Sequence, residues 1–224
     1  MSVQCYMCQA PATGREHVPP RCFFPETKDL PQGVDLRKNL ISVPSCDRHN
    51  TKKSKDDEYL AYVVVMHHEN NGVAGNHIRT KVLRALQGRP SLRGFFQTQR
   101  PVLLDGAQSI AFKLNYSRVR QGLDYMARAL YFHTYMEQWL APMGVYTPAV
   151  YEFDAANGSS LHATKRFMHT LVSTHLADEP RQGKNQEVFW YQPWRDQQRE
   201  IVLINMCFYE GASIVALSSP RLKL

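Results

Sequence analysis

From residue 54 onward, apolar positions along the chain recur with helical spacing. In SKDDEYLAYVVVMHHENN, Leu60, Val63, Val64 and His67 fall on one face, with Ser54 as the expected N-cap and Asp57 three residues on. The polar run NNGVAGN then reads as a stop. HIRTKVLRALQG follows as a second amphipathic helix, with Ile78, Val82, Leu83 and Leu86 inward, Arg79, Lys81 and Arg84 outward, and Gly88 ending it. Residues 88 to 108 read as loop or extended chain. In SRVRQGLDYMARALYFHTYMEQWL, Val119, Leu123, Met126, Ala127, Leu130 and Tyr131 again keep helical spacing. EVFWYQPW, IVLINMCF and SIVALS carry the β-branched and aromatic residues of strands, and YEG is a hairpin turn between the last two.

Residues 1 to about 55 differ. They have little helical periodicity, are rich in Pro, Gly, Cys and charge, and have too few apolar side chains for a core of their own. The pattern predicts an α+β protein in three parts: 1–58, a small module; 59–104, a helical connector with basic residues; 105–224, a mixed helix and antiparallel-sheet domain. No internal repeat or low-complexity tract interrupts it.

Composition narrows the class. The 224 residues are 43% hydrophobic, which argues against wholesale disorder. A net charge of +7 with a pI near 9.2 favours a polyanionic partner. The start MSVQCYMCQA has no basic region followed by an apolar run, and no stretch reaches the roughly 18 apolar residues of a membrane span. A soluble cytoplasmic protein without membrane contact is expected, with its five cysteines as thiols or metal ligands.

Their positions are informative. Cys5-x-x-Cys8 is followed 37 residues later by Cys46-x-x-His49. Two short pairs separated by a loop suit a structural zinc ion, because each knuckle lets both of its side chains reach one metal. Such an ion also stabilises a segment too poor in apolar residues to fold unaided. Cys22 and Cys207 have no ligand-spaced partner and read as core thiols.

Between the pairs lie EHVPPR and NLISVPSC. Together with C-x-x-C and C-x-x-H-N-x-x-K, and in that order, they make residues 5–58 resemble the HNH, or ββα-metal, endonucleases of the zinc-knuckle type. The resemblance implies a zinc-braced ββα module in which Glu16 and Asn50 hold one catalytic divalent cation, magnesium or manganese. It makes His17 the general base, and Asn39 the residue that orients His17 or ties the intervening loop. The sequence departs from the common pattern at Glu16, where many relatives have Asp, at His49, where many have Cys, and at the third catalytic position, where Asn50 is a known variant suited to magnesium. In a second register His49 would be catalytic, leaving zinc only the three cysteines Cys5, Cys8 and Cys46.

The implied function is hydrolysis of DNA phosphodiester bonds, giving 5′-phosphate ends, with a role in restriction or anti-phage defence by analogy. RNA remains a second substrate class. Lys52, Lys53, Lys55 and Arg21 are placed to meet phosphates, although a lysine run is also a common solvated face. Asp56, Asp57 and Glu58 read as negative charges in the first helical turn. Arg79, Lys81, Arg84, Arg89, Arg93 and Arg100 form a second basic stretch, and His162, Lys165, Arg166 and His169 a basic helical face. His67, His68 and His77 make no second metal site. A zinc-dependent nucleic-acid-binding protein that never cuts is the alternative; it needs the four zinc ligands but not Glu16, His17, Asn39 or Asn50. The C-terminal part has no chemical motif and is the expected place for any homodimer contact.

Overall fold

The computed structural model describes residues 3–88, 94–104, 107–147 and 158–220. It is an α+β protein whose sheets are all antiparallel. A short hairpin pairs β1 (Gly14–His17) with β2 (Ser42–Ser45), with Glu16 opposite Val43 and His17 opposite Ser42. Two tight 3-10 turns, Asp47–His49 and Thr51–Lys53, lead from β2 into α1 (Ser54–Val65).

The order strand, loop, strand, helix matches the expected module, but Ser54 is the first helical residue rather than the cap. The cap position is Lys53, which makes no side-chain cap bond. From Leu60 to Val65 every residue of α1 is buried, so the end of this helix is covered on all sides. His67 lies beyond it.

Asn71 changes the reading of NNGVAGN. Its side chain accepts from the amides of Val73 and Ala74, capping α2 (Gly72–His77) where a stop was expected. A five-residue π segment, Ile78–Val82, joins α2 to α3 (Leu83–Gly88). The wider turn shifts the phase of the apolar face. Leu83, expected inside, is therefore 48% exposed, and Lys81, expected outside, turns in to donate to the Cys22 carbonyl at 2.8 Å. A further hairpin, β3 (Arg100–Leu104) and β4 (Ala107–Ala111), falls where loop or extended chain was expected.

α4 (Tyr116–Tyr135) follows the predicted pattern, with Val119, Leu123, Met126, Ala127, Leu130 and Tyr131 all buried. It crosses α1 closely: a Cβ on Gly122 would come within 2.7 Å of Leu60 Cδ2, so a side chain there would have to displace the end of Leu60. The main sheet runs β5 (Gly144–Tyr146), β8 (Ala212–Ser218), β7 (Ile201–Phe208), β6 (Phe189–Asp196), and α5 (Gly158–His175) packs through Met168 against β7 and β8. The turn between β7 and β8 holds Tyr209 and Glu210 at φ 49° and 62°, as a tight right-twisted hairpin requires.

One apolar core runs through the molecule. Cys5, Tyr6, Phe23, Phe24 and Val43 belong to the same buried cluster as Leu60, Leu123, Phe189 and Phe208. The Phe23 and Phe208 rings lie 5.1 Å apart. The N-terminal segment, too poor in apolar residues for its own interior, thus uses that of the C-terminal sheet. Among the described residues no helix is long and apolar enough to cross a membrane.

Candidate metal centre and adjoining cleft

Cys5, Cys8, Cys46 and His49 converge, their ligand atoms all within 4.8 Å of one another. The first pair sits in a turn closed by the Cys5 amide on the Ala10 carbonyl and fixed to β2 by the Tyr6 amide on the Pro44 carbonyl, both 2.9 Å. The second pair sits in the 3-10 turn after β2, closed by the His49 amide on the Cys46 carbonyl. Cys8 Sγ lies 3.8 Å from Cys46 Sγ, and His49 Nδ1 lies 3.5 Å from both Cys5 Sγ and Cys46 Sγ.

A tetrahedral zinc with bonds of about 2.3 Å to sulfur and about 2.0 Å to nitrogen would set these separations at about 3.8 and 3.5 Å. The four side chains therefore fit zinc in kind and in spacing. Burial favours the neutral His49 imidazole that ligation needs, as do the Arg48 and Lys53 charges. At Cys46 burial opposes ionisation, but the His49 and Arg48 amides and the neighbouring thiols outweigh it and lower the thiol below its usual range. The His49 ring is bracketed edge-on by Tyr6 and by Tyr125 of α4. From the chain beyond α4, Gln138 Nε2 donates to the carbonyls of both Cys5 and Cys8. With the cluster as ligands, His49 is used at the metal.

Beside this centre a cleft of about 420 Å³ opens, its walls including Glu16, His17, Arg21, Asn50, Lys55 and Asp57. Strand alternation buries Glu16 and exposes His17. Asn50 Nδ2 donates to the Arg15 carbonyl at 3.2 Å, which ties the helix approach to β1 and leaves Oδ1 as the acceptor of that amide. Asn39 is not among the lining residues; it is exposed and holds a left-handed turn at φ 54°. Lys52, Lys55 and Arg21 are exposed. Lys53, grouped with them in the sequence as a phosphate contact, is instead 7% exposed.

The Lys53 ammonium is an ion-pair partner of Glu16 Oε1 and also meets both carboxylate oxygens of Asp57, at 2.7 and 2.8 Å. Glu16 Oε2 is 3.5 Å from Ser45 Oγ. Burial outweighs the Lys53 charge at Glu16 and pushes its carboxyl up to about 7. Burial also raises Asp57, whereas Lys53, which burial alone would lower, is raised by the two carboxylates. Cys22 lines the cleft as a thiol that burial pushes up to about 12, a weak nucleophile near neutrality.

The sequence reading missed the inward turn of Lys53 and Asp57, for which the i, i+4 spacing is the one signal, and Gln138, which has none. The second basic stretch is interrupted. Lys81 points inward, and Arg84 makes a two-pronged pair with Asp29 at 2.8 and 2.6 Å. Arg89, Arg93 and the side chain of His162 lie outside the described residues.

A scan against protein-family models and searches of curated proteins and of solved structures each gave no match.

Proposed function

We propose that this chain is a metal-dependent endonuclease of the HNH type that hydrolyses DNA phosphodiester bonds, braced by structural zinc on Cys5, Cys8, Cys46 and His49. The observation that carries the reading is that Glu16, His17 and Asn50 line one cleft directly beside a cluster spaced for zinc.

In this reading His17, exposed at the cleft, takes the proton from the attacking water, a task suited to a neutral imidazole. The Glu16 carboxylate and the Asn50 amide oxygen are the hard donors for magnesium or manganese, which would offset charge on the leaving oxygen. Those donors fit in kind, and the Lys53 ammonium stands in for a cation at Glu16. Arg21, Lys52 and Lys55 are exposed at and around the cleft, where they can meet phosphates. Restriction or defence is the biological setting the family resemblance suggests.

A second reading has its own support. Because Lys53 already balances Glu16, the same residues would also serve a zinc-braced nucleic-acid-binding protein that does not cut. Nicking of supercoiled plasmid with magnesium or manganese separates the two. His17→Ala should lose about 10²- to 10⁴-fold in rate. Equal nicking by parent and variant, or none by the parent on any DNA tried, rejects the enzyme.

A further inference from the structure

Two carboxylates of the cleft wall, Glu16 and Asp57, share a buried ammonium, that of Lys53. Glu16, Lys53 and Asp57 have side-chain exposures of 7%, 8% and 13%, and one ammonium serves two carboxylates. The arrangement is lopsided. Asp57 holds Lys53 through both oxygens from only four residues on along the chain, whereas Glu16 reaches it through Oε1 from a different element, the strand β1.

Taken as ionised, the trio carries one net negative charge. A divalent cation on Glu16 would sit against an ammonium already in contact with that carboxylate, and like charges at such a separation repel strongly where water is scarce. Lys53 need not lose both partners to relieve this, because its pair with Asp57 can persist when the contact with Glu16 is broken. A lysine on a four-carbon stem makes that move by rotamer change.

Resting on the reading of Glu16 as a cation ligand, we propose that Lys53 is the internal cation that a divalent ion displaces from Glu16, and that Asp57 is the carboxylate that retains it. Lys53 and Asp57 are then positioning residues with opposite effects on cation binding. Without Lys53, Glu16 loses this ion-pair partner, keeping the Ser45 hydroxyl, and Asp57 adds its charge to the site. Without the Asp57 charge, Lys53 has Glu16 as its ion-pair partner and holds it more tightly.

The test is a titration of the full-length, zinc-loaded protein with Mn²⁺, followed by the electron paramagnetic resonance signal of the free ion. Lys53→Met should tighten binding about tenfold and Asp57→Asn should weaken it about threefold or more, while Glu16→Gln abolishes it. A merely structural role for the trio would move both variants the same way or neither. Zinc content and circular dichroism establish that each variant is folded. Should Lys53→Met not fold, the near-isosteric Asp57→Asn decides alone, and unchanged or tighter binding there overturns the proposal. Absence of Mn²⁺ binding in parent and variants alike overturns it too. Opposite shifts without plasmid nicking would uphold the exchange and reject cleavage.

Discussion

The hydroxyl of Tyr209 meets Nδ1 of His77 at 3.0 Å in the buried core, 132 residues apart in sequence. The same hydroxyl donates to the carbonyl of Phe23, so the proton of the His77 contact belongs to Nδ1. Through this one atom the turn between β7 and β8 fixes both the α2 helix and the loop that carries Arg21 and Cys22 along the cleft.

Tyr209→Phe keeps the ring and removes the shared atom, leaving a buried carbonyl and a buried ring nitrogen without partners. Each such group costs about 1–3 kcal/mol. The midpoint of urea unfolding should fall accordingly with an unchanged denaturant slope. An unaltered midpoint would mean that water or another group takes over both contacts.

Elemental analysis of the purified protein should find about one zinc per chain, absent from Cys46→Ser. Structural zinc binding is worth about 10–16 kcal/mol in small modules, comparable to the whole stability of a domain. Chelation should therefore unfold the N-terminal segment, read as new proteolytic cleavage before residue 54.

Gln138→Ala tests the support behind the knuckle. Its amide nitrogen holds the carbonyls of Cys5 and Cys8, and outer contacts of this kind commonly change metal affinity by about tenfold or more. Zinc should pass faster to a chromogenic chelator, with the four ligands intact and the fold retained. A parental transfer rate would show that these contacts do not brace the site.

Acid should destabilise the protein through its buried imidazoles. Burial, aided by the Lys81 and Arg37 charges, lowers His77 to about 3, and burial beside His68 lowers His67 to about 4. Below about pH 6.5 the unfolded chain binds protons that the folded one refuses, so stability falls as pH drops through that window and is unaffected above it. Glu16, raised to about 7, contributes the reverse slope between about pH 4.5 and 7. His77→Gln isolates the first effect: its unfolding midpoint should depend less on pH between 4 and 6.5, by up to about 1.4 kcal/mol per pH unit. Parallel curves for parent and variant would show that His77 is protonated in the fold.

Much of this was legible because it is local. The spacing of Cys5 with Cys8 and of Cys46 with His49 is set by the knuckle a metal demands, and the α4 periodicity by one buried face. The pair of β7 and β8 announces itself by β-branched runs around the three-residue turn Tyr209-Glu210-Gly211. Partners distant in sequence left no trace: nothing near Gln138 or Tyr209 signals Cys5 or Phe23. Lys53 and Asp57 are an intermediate case, since four-residue spacing looks alike on a wet face and a buried one. The π segment has no pattern of its own, so Leu83 and Lys81 exchanged their expected sides. Asn71 reads equally as the end of one helix and the cap of the next.

The glycine at 122 lets α4 lie so close to Leu60 that any side chain there would push the leucine aside. The strand, loop and helix that form the cleft are therefore not a portable cassette. Grafted onto another scaffold, residues 1–65 would carry a bare leucine and a seam shaped for one particular neighbour, so evolution of the cleft and of α4 must proceed in step.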